Sequence, residues 1–411
     1  MMLRLILFII VVLIIEFYSF QVVKTLTNVK WVLLSYIICS VAVIVFIAYQ
    51  FLVFDRSVGQ TRMTMLTLAL LLITFLPKIL LTIVLLFEDI YRLLSGSVTH
   101  IISETKNSSF LPERRKFVSQ MALAFAAIPF GSLIYGMTFG KYNYKVIKQT
   151  VFFPDLPDEF DGFTITQISD VHSGSFDNPE KINYAIDLIN EQNSDMILFT
   201  GDIVNTDAKE MHPWIDTFKR IQDHKYGKYA VLGNHDYGEY VSWPSEAAKE
   251  INFQAIKDLY GQIGFQLMLN EHTYIERGTD KIALIGVENW GRHFKKAGDL
   301  LKASDGLSEK DFKIVMSHDP SHWDAEINTH PKGFHLTFSG HTHGLQFGIE
   351  IPGFFKWSPA QYVYDQWAGL YEKAGKYIYV NRGFGFHAYP GRVGIMPEIT
   401  VIQLKKAKNV A

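Results

Sequence analysis

The chain has 411 residues, 48% of them hydrophobic, with 39 Lys+Arg against 41 Asp+Glu and a mean hydropathy of +0.10. Residues 1–150 hold 14 Lys+Arg against 6 Asp+Glu and the remainder 25 against 35, so the C-terminal part is acidic and argues against a surface that grips nucleic acid, which needs clustered Lys and Arg. The single Cys39 excludes both an internal disulfide and a cysteine-built metal site.

The apolar excess falls in four runs, at about 3–20, 31–54, 63–87 and 117–139, each about long enough to cross a bilayer core. The first leads into further apolar spans and so does not read as a cleaved signal. Pro77-Lys78 interrupts the third. A proline there is tolerated where neighbours repair the lost backbone bond, and Lys78 at mid-depth needs a partner, water or the bundle interior. Gly131 and Gly136 in the fourth run suit close helix packing. Four crossings put both ends of a membrane domain, residues 1–140, on one side.

The flanking cations do not orient it: Lys24, Lys30, Arg92, Lys106, Arg114, Arg115 and Lys116 stand against Arg4, Arg56, Arg62, Lys141, Lys145 and Lys148. Arg114-Arg115-Lys116-Phe117-Val118 resembles a bacterial twin-arginine export signal. With that reading, or with a plain cytoplasmic basic cluster, the C-terminal domain is extracytoplasmic.

Residues 141–160, with Pro154 and Pro157, read as a juxtamembrane connector, and 161–405 as an α/β domain. Thr164 to Ser169 alternates like a buried strand, Pro179 to Gln192 has helical spacing with proline at its start, and Met196 to Thr200 is a second strand, which together make a βαβ unit. Tyr229 to Leu232, Ile282 to Val287, Lys313 to Met316, Leu336 to Phe338, Tyr377 to Val380 and Ile399 to Leu404 are further strands, and Ala248 to Ile263 a helix.

Thirteen of the fourteen histidines follow Ile165. Five polar clusters stand at strand ends: Asp170-x-His172, Gly201-Asp202, Gly233-Asn234-His235-Asp236, His318 and Gly340-His341-x-His343. Open α/β sheets place their chemistry at such ends. In an extended Asp-x-His both side chains share a face and can grip one ion. Each cluster alone fits an ordinary turn or loop, since Gly and Asn suit positive φ. All five in this order are hard to explain that way.

In this order the blocks resemble the calcineurin-like metallophosphoesterases, in the subgroup with N-terminal transmembrane helices, over roughly residues 160 to 405. The resemblance implies a two-sheet α/β sandwich with two divalent metals at the sheet ends. It implies Asp170, His172, Asp202 and His343 on one metal, and Asp202, Asn234, His318 and His341 on the other. Two cations about 3.5 to 4 Å apart need a shared ligand, and a carboxylate with two oxygens, Asp202, is the candidate. Imidazoles with few carboxylates suit Mn, Fe or Zn better than Mg or Ca. A water bridging such cations has a lowered pKa, so hydroxide can attack phosphorus in line. By the same resemblance His235 serves the leaving oxygen, and Asp236 would hold its imidazole.

His322, His330, His335 and His387 read as non-ligands, His387 with a packing or loop role. The aromatic stretch from Gly344 to Glu372 could stack on a base or sugar, touch lipid, or cover the core. The expected protein is a membrane-anchored phosphohydrolase whose partners are the bilayer and a phosphate ester, lipid-linked or nucleotide-linked. A metal-dependent nuclease and an inactive membrane scaffold or transport protein are the alternatives.

Overall fold

The computed structural model describes residues 2–102, 112–351 and 353–407; Lys106, counted above among the flanking cations, lies outside them. Two compact units form, one from Met1–Phe54 and Met63–Tyr135, the other from Asp55–Arg62 and Gly136–Ala411.

The first unit is built from α1 (Met2–Leu26), α2 (Lys30–Leu52), α3 (Arg62–Ile102) and α4 (Pro112–Thr138). Each contains a segment long and apolar enough to cross a membrane, and large apolar side chains such as Phe8, Leu34, Phe87 and Phe125 face outward. Val22, Leu81, Leu85, Ala122 and Ala126 close the interior between α1, α3 and α4. α3 passes through Pro77 and continues beyond residue 87, where the apolar run stops. The acids that end that run are tied down, because Arg115 of α4 lies 2.9 Å from Asp89 and 3.8 Å from Glu88. Lys78 finds partners on two other helices: its Nζ is 2.7 Å from Glu16 and 2.5 Å from Ser40, and the Ser40 hydroxyl donates to Glu16 at 2.6 Å.

The second unit is a two-sheet sandwich. One sheet has the order β1 (Lys145–Phe153), β14 (Glu398–Lys406), β2 (Thr164–Ile168), β3 (Met196–Phe199), β4 (Lys228–Ala230), β5 (Gln266–Leu267). The other has β12 (Gly369–Lys373), β13 (Lys376–Val380), β9 (Leu336–Ser339), β8 (Lys313–Met316), β7 (Asp280–Gly286), β6 (Glu271–Arg277). A separate antiparallel hairpin pairs β10 (Ile349–Ile351) with β11 (Phe355–Trp357). Strands β2, β3 and β4 are mutually parallel, as are β7, β8, β9 and β13.

Between the sheets, Ile165, Met196 and Leu198 meet Leu284, Ile314, Met316 and Phe338. The alternate residues Ala283, Ile285 and Val315 face the other way, onto Leu300, Trp323 and Ile327, as the two-residue period of a strand requires. Helix α5 (Pro179–Asn190) buries Ile182, Ala185, Ile186 and Ile189, and its first turn is capped by Asn178. The short α6 (Ile215–Phe218), the longer α7 (Glu246–Gln262) and the short α8 (Leu300–Ala303) are the other α-helices of this unit among the described residues.

The stretch read as a connector differs from that reading. Lys145–Phe153 is β1, an edge strand paired in parallel with β14 over nine residues. Its Lys145 and Lys148, three apart and so on opposite faces, are both exposed, because the first half of this edge strand is uncovered on both sides.

Candidate metal centre

Strands β2, β3, β4, β8 and β9 all deliver their next residues to one place. Asp170, His172, Asp202, His341 and His343 have φ between +47° and +72°, a left-handed conformation that costs a non-glycine residue of order 1–3 kcal/mol. The loops therefore are not the extended Asp-x-His expected from the sequence. The strand ends at Ile168, and the backbone beyond is held by its neighbours: Asp170 N–H donates to Gly201 O at 2.9 Å, His172 N–H to Asp202 O at 3.1 Å, and His341 N–H to Asp170 Oδ1 at 2.9 Å. Two glycines make the approach possible. A Cβ on Gly340 would overlap Ser169 Oγ and Asp170 Oδ2, and one on Gly233 would overlap Asp202 Oδ1.

The side chains meet in two groups, Asp170/His172/His343 and Asp202/His318/His341, each with its ligand atoms within 4.8 Å of one another. In the first, His172 Nε2 is 3.0 Å from His343 Nε2, which is 3.3 Å from Asp170 Oδ1. In the second, His318 Nε2 is 3.1 Å from both Asp202 Oδ2 and Asn234 Oδ1, and His341 Nδ1 is 2.7 Å from Asn234 Oδ1. Asp202 Oδ2 also lies 3.7 Å from His172 Nε2. Its Oδ1 is taken by the His235 backbone N–H at 2.8 Å. Oδ2 is thus the oxygen that Asp202 turns toward both groups.

The outer bonds show which atoms point inward as bare lone pairs. His318 Nδ1–H donates to Thr200 O at 2.6 Å, His172 Nδ1–H to Asn205 Oδ1 at 3.1 Å, and the Asn234 amide to Tyr240 OH at 2.6 Å. His341 Nε2 faces Tyr364 OH at 2.8 Å and Asp319 Oδ2 at 3.6 Å. His172 Nε2, His318 Nε2, His341 Nδ1, Asn234 Oδ1 and Asp202 Oδ2 thus confront one another acceptor to acceptor, an arrangement that a cation relieves. His343 is the exception: Arg392 Nη2 lies 3.0 Å from its Nδ1, so ligation through Nε2 requires that Nη2 donate only to the carbonyls of Gly383 and Gly385.

Electrostatics favour neutral rings at His172, His341 and His343, and a bound positive charge, proton or metal ion, at His318. Burial holds the His172 and His343 rings well below the ordinary value and brings His341 to about 4, keeping them neutral as ligands must be. Burial opposes charge on Asp202, but His318 and the neighbouring rings outweigh it and draw the carboxyl well down. Burial likewise opposes charge on His318, yet Asp202 and Asp170 carry that ring up to about 10. This pocket binds positive charge. Desolvation, reinforced by Asp202 and opposed by His318, pushes Asp170 up to about 6.

His235 points its Nδ1 at Asn205 O, 2.7 Å away. Asp236, expected to orient that ring, does something else. It accepts backbone N–H bonds from Asp202 and Ile203 at 3.0 Å and Gly233 at 2.9 Å, and the Tyr260 hydroxyl at 2.9 Å. Adjacent side chains on this turn diverge, so the carboxylate braces the Asp202 loop and the Asn205 carbonyl orients His235.

His387, read as a packing residue, stacks on His172 at 4.8 Å, shares Asn205 Oδ1 at 3.1 Å, and forms a third close group with His172 and His235. Sequence reasoning also passed over Asn205, Tyr240, Asp319 and Arg392, none of which stands in a motif, whereas Tyr364 lies in the aromatic stretch already singled out.

A buried Asp/Asn/His cage of this kind, at the strand ends of a two-sheet α/β sandwich, defines a metal-dependent phosphoesterase. Residues 3–141 match the family model "Probable Calcineurin-like phosphoesterase, transmembrane domain" and residues 163–345 the model "Calcineurin-like phosphoesterase". The chain is 32% identical over 300 residues to the Bacillus subtilis (strain 168) protein named uncharacterized metallophosphoesterase YkuE, covering 71% of this chain and 97% of that one. An uncharacterized metallophosphoesterase of Helicobacter pylori (strain J99 / ATCC 700824) is 24% identical over 97% of both chains. The solved NAD nucleotidase of Haemophilus influenzae superposes with a TM-score of 0.36 at 11% identity, over 55% of this chain and 46% of that one, so the match spans about half of that enzyme. The chain belongs to the calcineurin-like metallophosphoesterase family, in a form that carries a transmembrane domain.

Proposed function

We propose that this membrane protein is a dinuclear-metal phosphohydrolase acting on a phosphate ester that is lipid-linked or nucleotide-linked. The observation that supports the pair of ions is Asp202 Oδ2, which faces both His318 Nε2 and His172 Nε2. Asp170, His172 and His343 would hold one ion, Asn234, His318 and His341 the other, with Asp202 between them. The nitrogen-rich, thiolate-free donor set suits Mn, Fe or Zn. Divalent ions held there would supply Lewis acidity toward the phosphoryl oxygens and the attacking water.

The chain's own residues do the rest. Asp236 and the glycine loops hold Asp202 in place. With its Nδ1–H given to Asn205, His235 presents Nε2 to the leaving oxygen, and when charged it can hand over a proton. The N-terminal helices anchor residues 161–405 to the bilayer. The basic cluster Arg114-Arg115-Lys116 supports an extracytoplasmic catalytic unit, although Arg115 is also engaged by Asp89.

A panel of phosphate monoesters, diesters and pyrophosphates, run with Mn-reconstituted protein before and after chelation, tests the proposal. Metal-dependent turnover of at least one class is expected. Turnover no faster than background in metal-loaded protein would return the chain to a scaffold or transport role, and preferential cleavage of single-stranded DNA or RNA would make it a nuclease.

A further inference from the structure

The β10–β11 hairpin is built inside out. Its register pairs Ile349 with Trp357, Glu350 with Lys356 and Ile351 with Phe355, so Ile349, Ile351, Phe355 and Trp357 share one face and Glu350 and Lys356 the other. The charged face makes the bonds to the protein, although Lys356 is itself exposed. Glu350 takes a two-pronged bond from the nearly buried Arg382, at 2.6 and 3.1 Å, and Lys356 donates to Ala368 O at 2.5 Å while lying 4.8 Å above the rings of Trp367 and Tyr371. The apolar face is the one left open: Ile349, Ile351 and Phe355 are about half exposed, and Phe354 at the tip is 85% exposed. Tyr362, whose hydroxyl lies 3.5 Å from Trp357 Nε1, and Val363 are exposed as well. In water this orientation costs roughly 25 cal/mol per Å² of apolar area, and polar residues on the outer face would avoid it.

The hairpin's place in the second unit names what covers it. Its root at Gln346–Gly348 pairs with Val393, at 2.8 and 2.9 Å, and the adjacent Arg392 N–H donates to Gly136 O at 3.2 Å. Gly136 stands two residues before the end of α4, where the chain leaves a membrane span. The loop Asp55–Arg62, which joins α2 to α3, lies in the same unit and reaches residues beside the cage. Gln60 accepts from Ala388 N–H at 2.7 Å, next to His387, and donates to Ser175 Oγ at 2.9 Å, which in turn accepts from Asn205 at 3.2 Å. The ends of apolar spans sit at the bilayer surface, and exposed aromatics with a lysine among them suit that depth. The hairpin also begins six residues after His343, and the same insert returns Tyr364 to His341.

We propose that the β10–β11 hairpin seats its apolar face in the lipid interface at the mouth of the metal cage, so that the substrate is a phosphate-bearing lipid taken from the bilayer. The substrate half of this inference rests on the phosphohydrolase reading; the seating of the hairpin does not. A spin label on Phe354→Cys, in a Cys39→Ser background of the full chain in vesicles of phosphatidylethanolamine and phosphatidylglycerol, is compared with one on the water-exposed Asp223→Cys. The label at 354 should be relaxed several-fold more by oxygen and less by an aqueous nickel chelate than the label at 223. Equal accessibility overturns the seating, whether or not any ester is cleaved.

The second arm measures the ratio of turnover on a long-chain phosphorylated lipid to turnover on p-nitrophenyl phosphate. Phe354→Asp should lower that ratio about tenfold. An unchanged ratio overturns the substrate claim. Absence of turnover on every ester overturns the phosphohydrolase reading and the substrate claim with it, and leaves the label result to decide the hairpin.

Discussion

The Nε2 of His318 looks directly at the Oδ2 of Asp202 across 3.1 Å, while the other nitrogen of the same ring is committed to the Thr200 carbonyl. A neutral ring so anchored offers only a lone pair to the carboxylate. Either a proton or a metal ion must stand between them, which is why that ring's affinity for a proton is raised in the folded chain. Replacing the carboxylate by an amide removes the negative charge and can turn an N–H₂ toward the cage. Asp202→Asn is therefore expected to lose bound metal and turnover together, by about 100-fold or more, measured by elemental analysis of the purified protein beside ester hydrolysis. Full metal content with lost turnover would show that Asp202 is not the shared ligand.

His235 should separate those two readouts. Its ring is fixed by Asn205 and touches the cage only at its edge, 4.8 Å between its centroid and that of His172. His235→Ala is expected to keep its metal and lose about 10²–10⁴-fold in turnover on an ester with an alkoxide leaving group. The loss should be much smaller with p-nitrophenol, whose departure needs no proton. An equal loss on both esters would remove the leaving-group role.

How much of this was open to sequence reasoning can be judged from individual elements. The run Lys313–Met316 is β8 to the residue, and the polar residues that follow each such run converge in space, because a buried strand with its ligand just past the end is a local pattern. The left-handed turns at Asp170 and His343 were not readable, since nothing in an Asp or His announces positive φ. Asn205 braces His172, His235 and His387 from 30 to 182 residues away, a relationship that only chain closure creates. β1 was hidden by its own lysines, and the hairpin by an apolar pattern that faces out instead of in.

Asp236 is the brace whose loss should be felt in the fold before the chemistry. Three backbone N–H groups and the Tyr260 hydroxyl converge on its two buried oxygens. Burial and Asp202 push its pKa up to about 7, while the bonds from Gly233 and Tyr260 work the other way. Asparagine keeps one oxygen and sets an N–H₂ against those donors. Asp236→Asn should cost about 2–5 kcal/mol, read as a lower unfolding midpoint in metal-free protein, where ligand binding cannot mask it. A midpoint equal to wild type would mean that the Asp202 loop stands without this carboxylate.

Glu210 supplies a pH dependence that is independent of the cage ligands. It closes a capping box with Asp207 and accepts the N–H of Asn205 at 2.5 Å and of Asp207 at 3.2 Å. Burial nevertheless raises its pKa from 4.5 to about 7. A carboxyl whose folded pKa lies above its unfolded one binds its proton more tightly when folded. Its contribution to stability is complete below pH 4.5 and drains away as the pH climbs through 7, about 3 kcal/mol across the window. Glutamine imitates the protonated form at every pH, with a constant penalty for turning its N–H₂ toward one of the two backbone donors. The difference in unfolding midpoint between wild type and Glu210→Gln should therefore shift in favour of glutamine from pH 4.5 to 7 and flatten above it. A constant difference over that range would mean that Glu210 titrates alike in both states, and that the bonds from Asn205 and Asp207 fully compensate its burial.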